Sequence, residues 1–346
     1  MSGQSFDYWQ LFIEETKRMK APLYTHIVEG VAYDDDLKAL ATTARRGQPP
    51  ANILLAAVHY LLLRGAEHGL RTYYPNLNDG DHRDPADVFP VFKNFVGTHR
   101  DALEPLIAGR VTNTNEVGRS AFLHAGFRAL AADAGAPLHL VEIGPSAGLN
   151  QAWDKYTVRY AANDGVHTIG PHDGALVIDA EARGEKLPPL GPSPTIASRV
   201  GLELNPVDLS DADQRDWLRA LVWPDALKRF AQLERAIEIA ARFRPNIVAG
   251  DALENLPDVL GGLPANETVC VYHTFVTYQF TQAGRQALDD MLVGMSVRRP
   301  LWRLSIEGTL APVDAPMLLY SYKDGLREKR HLAGCSPHGS WIEWLA

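Results

Sequence analysis

Cysteines and long apolar runs are both scarce in this sequence, and the two shortages exclude several classes of protein. Only two of the 346 residues are cysteines, Cys270 and Cys335, which excludes a disulfide framework and favours a reducing compartment. The longest apolar run, residues 53–63, contains His59 and is too short to cross a bilayer. The first residues also lack the basic and then apolar order of a signal peptide. We therefore expect a cytoplasmic protein without a membrane segment.

Positive charge is also in short supply. The chain has 34 Lys and Arg against 42 Asp and Glu, a formal net charge of -8. A mildly acidic protein has no general attraction to a polyanion, so we expect a small-molecule substrate and no nucleic-acid partner. The length is large for a single domain and suggests a main domain with a sizeable additional unit.

The first third of the chain has the apolar spacing of helices separated by short polar loops. Residues 51–69 read as a mostly buried helix that ends at Gly65 or Gly69. Almost nothing in this part resembles a strand. We therefore predict a helical N-terminal unit over residues 1–112.

Residues 113–346 have a different pattern. Asn113 and Glu116 fit a capping box for a helix that stops at Gly135. Beyond that helix, strand-like runs alternate with helical stretches. The strand-like runs are residues 138–143, 199–204, 246–249, 268–272 and 301–306, and the helical stretches are residues 150–160, 211–243 and 281–296. This alternation predicts a doubly wound, Rossmann-like α/β domain with a parallel sheet between helices.

Three details of this domain lead to separate predictions. The long helix of residues 211–243 should break at Trp223–Pro224. Residues 163–194, which are rich in Gly and Pro and hold one strand, read as an insertion. In the tail, Trp341 and Trp344 have the spacing of a final amphipathic element that docks on the core.

The first predicted strand leads into a turn with two glycines, Gly144 and Gly148. Glycine lets the backbone approach a ligand closely, and a following helix offers free N–H groups. In a doubly wound sheet this turn lies at the carboxyl edge of the strands, where ligands bind. The acid beside it, Glu142, suits a ligand with a cationic amine better than one with phosphates. We therefore expect S-adenosylmethionine as the cofactor, and not a dinucleotide.

Acids follow the next two strands as well. Glu203 ends the second strand with Asp208 close behind, and either can accept the hydroxyls of a ribose. Asp251 follows the third strand and can accept from an adenine amino group, with Ala252 packing beside it. The fourth strand ends in polar and aromatic residues, where we place Tyr272 in the acceptor wall and His273 as a candidate general base.

Two other interpretations of the turn remain open. Residues 144–148 also fit G-x-S-x-G, which would make Ser146 the nucleophile of a hydrolase with Asp251 and either His273 or His338. The helical first third argues against this, because such enzymes usually have several strands before the nucleophile. The simplest alternative is that both glycines only let a strand turn tightly into a helix. A non-catalytic ligand-binding protein of the same fold is also compatible with the pattern.

Several segments, spread over most of the chain, resemble one protein family. They are “TNTNEVGRSA”, “LVEIGPSAGLN” with “WDKY” after it, “ASRVGLELNPVDL”, “WLRALVWPD”, “GDALENLP”, “VYHTFVTYQF” and “SPHGSWIEWL”. With these segments the chain resembles the domain of unknown function 2332 family of uncharacterised bacterial proteins. Its fold looks like that of S-adenosylmethionine-dependent methyltransferases, whose first motif is usually G-x-G-x-G after a strand.

This resemblance implies roles for individual residues. Gly144 and Gly148 would hold the methionine end of the cofactor, with Ser146 in place of the middle glycine. Glu203 would then bind the ribose and Asp251 the adenine. The segment with Asn115 and Arg119 would close over the turn, with Arg119 pairing with the cofactor carboxylate.

The sequence also contains a loose group of metal-binding residue types, His331, Cys335 and His338. Their spacing does not match that of a typical metal site, so we expect no metal.

Overall fold

The computed structural model describes residues 8–135, 137–308 and 315–346. The chain divides into two compact units. The first unit comprises Met1–Thr114 and Val207–Ala231, and the second comprises Asn115–Pro206 and Gln232–Ala346. The boundaries proposed from the sequence, 1–112 and 113–346, stay a prediction.

The helices are numbered in chain order. They are α1 (Tyr8–Arg18), α2 (Pro22–Ala32), α3 (Asp35–Ala41), α4 (Pro50–Leu63), α5 (Val88–Thr98), α6 (Arg100–Gly109), α7 (Ser120–Ala134), α8 (Ala212–Ala220), α9 (Leu227–Phe243), α10 (Ala252–Gly261) and α11 (Gln282–Ser296). The break at Trp223–Pro224 is confirmed, because it falls between α8 and α9. The predicted helical stop at Gly135 is also confirmed, since Gly135 is the C-cap of α7 with a φ of 80°.

The core of the first unit is built around α4. This helix begins at Pro50, whose fixed φ suits a first helical turn, and it is apolar and buried on all sides. The buried histidine of this helix, His59, bonds to the Ala220 carbonyl at 3.0 Å. Burial lowers the pKa of His59 to about 4, so it stays neutral in the core at neutral pH.

The strands are also numbered in chain order. They are β1 (Leu138–Ile143), β2 (Thr157–Ala162), β3 (Gly165–Ile169), β4 (Val177–Arg183), β5 (Ile196–Glu203), β6 (Ile247–Ala249), β7 (Thr268–Thr274), β8 (Leu301–Ile306), β9 (Ala315–Lys323), β10 (Leu326–Cys335) and β11 (Trp341–Trp344). The described strands form one mostly parallel sheet of eleven, in the order β3-β2-β4-β11-β10-β9-β8-β7-β1-β5-β6. The mixed α/β class is therefore confirmed.

The strand order places a switch point at β1. Parallel β5 and β6 lie on one side of β1, and parallel β7 and β8 lie on the other. In the register, Glu142 of β1 stands between Gly201 of β5 and Tyr272 of β7. Ligands of open α/β sheets bind outside the carboxyl ends of the strands at such a point.

Three local predictions are wrong. Residues 150–160 form only a short 3-10 helix, Leu149–Lys155, and then enter β2. Residues 163–194 hold β3 and β4 instead of one strand, and β4 pairs with β11 to extend the sheet. The tail forms β11 and not a helical element, although Trp341 and Trp344 are buried as expected. The buried-exposed alternation of β2 and β4 is the period of a strand and outweighs the helix signals nearby.

The two faces of the parallel strands pack differently. On one face Val141, Ile143 and Leu202 contact buried leucines of α10 and α11. On the other face Phe127 of α7 meets the Tyr272 ring edge-on, with centroids 5.0 Å apart. Within the described residues, no helix has the length and apolar character needed to span a membrane.

Candidate functional site

The glycine turn lies directly after β1 and has an unusual backbone. Gly144, Ser146 and Gly148 have φ values of 69°, 56° and 73°, all in the left-handed region. The turn is closed by the Gly148 N–H, which donates to the Pro145 carbonyl at 2.8 Å. Ser146 is the strained member, because a side chain disfavours this conformation.

Packing within the protein accounts for both glycines. A Cβ on Gly144 would lie 2.6 Å from the Val276 side chain, and one on Gly148 would lie 2.5 Å from Pro245. Both positions therefore require glycine for the left-handed φ and for the close neighbours, with or without a ligand. The methionine-binding role of these glycines stays a prediction.

Glu203 ties the end of β5 to the glycine turn. Its Oε2 accepts the Ser146 N–H at 2.7 Å, and its Oε1 accepts the Asn205 N–H at 2.9 Å. The side chain is buried. Asp208, the alternative ribose acid, lies in the first unit and accepts from Ser210. The carboxylate that reaches the turn is thus Glu203.

Glu142 is a buried acid on β1, directly before the turn. It is 2% exposed, and its Oε2 accepts the Tyr272 hydroxyl at 2.9 Å. Burial raises the pKa of Glu142 to about 8; the Tyr272 hydrogen bond opposes this rise, Glu203 adds to it and Arg119 opposes it. In the described part of the chain, neither Glu142 nor Glu203 forms an ion pair with a basic side chain. Two buried carboxyl groups therefore meet at the switch point without a paired cation.

Tyr272 has its hydrogen-bond partner inside the protein. The residue is 1% exposed, its hydroxyl donates to Glu142, and its ring packs against Phe127. These contacts hold the ring and the hydroxyl in place inside the protein, and the expected place of Tyr272 in an acceptor wall stays a prediction. Its evident effect is to orient Glu142.

The segment before α7 contacts the glycine turn. The Asn115 Oδ1 accepts the Leu149 N–H at 2.9 Å, directly after the turn. The Arg119 guanidinium donates to the carbonyls of Thr274 and Pro337 at 3.0 and 3.1 Å and stacks 4.4 Å from the centre of the Phe275 ring. Arg119 thereby connects the carboxyl end of β7 to the loop before β11.

His273, at the end of β7, has an acidic partner that the sequence analysis missed. Its Nδ1 lies 2.6 Å from the Glu307 Oε1, and its Nε2 is buried without a hydrogen-bond partner among the described residues. Glu307 also accepts the N–H groups of residues 276–278 at 3.1–3.2 Å. Burial disfavours ionisation of Glu307, but His273 and these N–H groups outweigh it and lower its pKa.

The signal for Glu307 was present in the sequence. It follows the fifth parallel strand, β8, at the same carboxyl edge as the acids after β5 and β6. A histidine whose Nδ1 meets a carboxylate keeps a defined ring orientation, and its Nε2 is then the nitrogen able to exchange a proton. This pair is therefore the candidate acid-base element of the site.

Asp251 and Ala252 follow β6 at the same edge. Asp251 is exposed and is the N-cap of α10, with its Oδ1 accepting the Leu253 N–H at 2.7 Å. Ala252, the first residue of α10, is buried in the core. The structure thus uses Asp251 as a helix cap, and an ionised carboxylate has further lone pairs for a ligand.

The hydrolase alternative requires a histidine oriented by Asp251. The Nδ1 of His273 instead meets Glu307, and the Nδ1 of His338 meets the Glu116 Oε2 at 2.8 Å. Both histidines therefore have other acids at the nitrogen that a catalytic triad joins to its aspartate.

The chain was compared with known families, curated proteins and solved structures. The model of the family described as “Uncharacterized protein conserved in bacteria (DUF2332)” matches residues 9–344. No curated protein and no solved structure matches.

Proposed function

We propose that this chain, which belongs to the DUF2332 family of uncharacterised bacterial proteins, is an S-adenosylmethionine-dependent methyltransferase of a small-molecule acceptor. The observation that carries the proposal is the meeting of Glu142 and Glu203 at the carboxyl end of β1. Both are buried, and neither has a basic ion-pair partner in the described residues. A cationic ligand at this edge would compensate the charge of Glu203 and would favour ionisation of Glu142, whereas a dinucleotide phosphate would be repelled by carboxylates.

The strand order supports a Rossmann-like domain as the frame of this site. The five parallel strands run β6-β5-β1-β7-β8, so the chain moves outward from β1 first to one side and then to the other. Glu203, Asp251 and His273 come from or directly follow three different strands at the carboxyl edge. In open sheets of this type the ligand lies in that crevice.

The residues fit the cofactor in charge and in hydrogen-bonding capacity. Each Glu203 oxygen accepts one backbone N–H and retains a lone pair for a ribose hydroxyl. Asp251 is exposed and uses one oxygen for its own helix, so the other can accept from an adenine amino group. Glu142 would stabilise the positive end of the ligand from below the turn.

In this reaction the cofactor supplies the reactive group, and the protein has to position the acceptor. When bound, S-adenosylmethionine supplies an electrophilic methyl group. The chain has to align the acceptor with it and exclude water. Where the acceptor carries a proton, the His273 Nε2 is the group to receive it, with Glu307 orienting the ring through Nδ1.

A non-catalytic ligand-binding protein of the same fold is the second candidate. The specific observation in its favour is the internal use of Tyr272 and the buried position of the His273 Nε2. Incorporation of methyl groups from labelled S-adenosylmethionine into a bacterial extract separates the two. Labelled product supports the enzyme, and binding without product supports the second candidate.

Cofactor binding is tested first with S-adenosylhomocysteine by calorimetry. Asp251→Ala should weaken binding at least about tenfold, the value of a lost hydrogen bond to a charged group. Asp211→Ala is the matched control, because Asp211 caps α8 in the first unit in the same way, with its Oδ1 2.8 Å from the Asp213 N–H. Equal loss in both variants, or no binding to the wild type, contradicts the proposal.

A further inference from the structure

A cavity, here called the Arg128 cavity, lies in the part of the second unit that includes β3 and the segment before β5. Its volume is about 270 Å³. Arg128 of α7, Asp154, residues 168–172 and residues 190–193 line it. Because residues 190–193 lead into the amino end of β5, this cavity is separate from the glycine turn at the carboxyl end.

Arg128 contributes a buried positive charge to this cavity. The residue is 6% exposed. Its Nε donates to the Gly191 carbonyl at 2.6 Å, and its Nη2 donates to the Ser193 hydroxyl at 3.0 Å. Its Nη1 is directed at His124, 2.8 Å from Nδ1 and 2.9 Å from the carbonyl. A guanidinium has five N–H groups, so one on Nη2 remains for another acceptor.

None of these partners neutralises the Arg128 charge. Burial and, to a lesser extent, the charge of Arg128 lower the pKa of His124 to about 3, so the imidazole is neutral. Its Nε2 lies 3.1 Å from the Tyr156 carbonyl and is the donor, which leaves Nδ1 as the acceptor for Arg128. Within the described ranges Arg128 forms no ion pair with a carboxylate. A buried cation without a counter-charge is costly, and an anionic ligand would relieve that cost.

Asp154 also lines the cavity, and one of its carboxylate oxygens is unpaired. Its Oδ2 pairs with Arg199 at 2.8 Å. Its Oδ1 is buried and has no hydrogen-bond partner among the described residues. A ligand group with an N–H or O–H would satisfy this oxygen. Two residues of the cavity lining therefore have unused hydrogen-bonding capacity, a donor on Arg128 and an acceptor on Asp154.

Residues 170 and 171, which also line the cavity, pack closely against the chain at the start of β2. Gly170 has a φ of 91°, and a Cβ there would lie 2.4 Å from the Tyr156 carbonyl oxygen. Thr157 also donates its hydroxyl to the carbonyl of Pro171. This segment is held at the start of β2 by a close backbone approach and by a side-chain hydrogen bond, so the fold fixes this part of the lining.

We propose that this cavity binds a small oxyanion that also carries a hydrogen-bond donor, with the oxyanion on Arg128 and the donor on Asp154. Carboxylates with a hydroxyl or amino group and phosphates with a free hydroxyl share this chemistry. The cavity lies just below the range of volumes usual for metabolite sites, which suits a ligand of few atoms. The site goes beyond the proposed methyl transfer and uses none of its residues.

The test is calorimetric titration of the full chain with glycolate, acetate and inorganic phosphate at constant ionic strength. Glycolate should bind at least about fivefold more tightly than acetate, because only glycolate has a donor for Asp154. Tighter binding of phosphate than of glycolate assigns the site to phosphates, and the reverse assigns it to substituted carboxylates. Absence of saturable binding of both glycolate and phosphate overturns the proposal.

Variants then locate the binding. Arg128→Met should weaken glycolate about tenfold or more, and Arg159→Met is the control, because exposed Arg159 pairs with Asp179 on the neighbouring strand. If Arg128→Met does not fold, Asp154→Asn decides, since it should reduce the preference for glycolate over acetate to about twofold or less. An unchanged preference in Asp154→Asn overturns the proposal. No titration contains S-adenosylmethionine, so this result is independent of the methyltransferase test.

Discussion

Replacing the buried acid Glu142 by glutamine should change how the stability of the protein depends on pH. The pKa of Glu142 is raised from 4.5 to about 8 in the folded protein, chiefly by burial. Folding therefore favours the protonated acid. The contribution of this group to the unfolding free energy is fully present below pH 4.5 and is lost as the pH rises through 8.

The size of this change in unfolding free energy follows from the two pKa values of Glu142. Each pKa unit corresponds to 1.36 kcal/mol, so the wild type should lose at most about 5 kcal/mol of unfolding free energy from this group between pH 4.5 and 8. Glu142→Gln has no proton to lose, and its amide oxygen can still accept the Tyr272 hydroxyl. The variant should therefore become progressively more stable relative to the wild type as the pH rises.

Urea unfolding at several pH values between 5 and 9 measures this difference. Glu328→Gln is the matched control, because Glu328 is an exposed strand residue and its variant should follow the wild-type curve. An equal difference in unfolding free energy between Glu142→Gln and the wild type at pH 5 and pH 8 would show that Glu142 does not have this raised pKa.

Two further substitutions test other parts of the site. Glu307→Gln should destabilise the protein at pH 7, because the pKa of Glu307 is lowered in the folded state, and unfolding curves should show the difference shrinking as the pH falls below about 4. A difference that persists unchanged at acid pH contradicts this. Gly144→Ala should cost more than about 2 kcal/mol, since it adds strain at a φ of 69° and a clash with Val276. Gly294→Ala, in α11 with open space around it, should instead stabilise by up to about 1 kcal/mol, and equal effects in the two variants would contradict the packing argument.

The parallel strands could be predicted from the sequence because their signal is local. Residues 138–143 and 301–306 are short apolar runs between turn residues, and the structure has strands at those bounds. The break at Trp223–Pro224 was predictable for the same reason, since proline acts on its own backbone. Features that depend on neighbouring residues alone are the ones the sequence specifies most clearly.

Features that depend on distant pairing were not predictable in this way. β11 is a strand because residues 341–343 pair with residues 181–183 of β4, which lie far away in the sequence. β2 follows a short 3-10 helix and gains its place by pairing with β4. A single sequence gives no direct measure of such pairings, so propensity alone favoured a helix over residues 150–160.

The candidate site was predictable in position but not in contacts. The acids at the carboxyl ends of β1 and β5 and the acid after β6 could be placed at one edge from the β-α alternation. The bond from the Ser146 N–H to Glu203 and the pairing of His273 with Glu307 could not, because each joins segments from different strands. The lining of the Arg128 cavity could not be predicted either, because it joins α7 to residues 190–193.

A crystal structure of the protein grown with S-adenosylhomocysteine would show whether the carboxyl edge of the sheet binds this ligand. We expect electron density beside residues 144–148, with the ribose hydroxyls on Glu203 and the adenine amino group on Asp251. Density at another place, or an unchanged carboxyl edge at saturating ligand, would contradict the methyltransferase proposal.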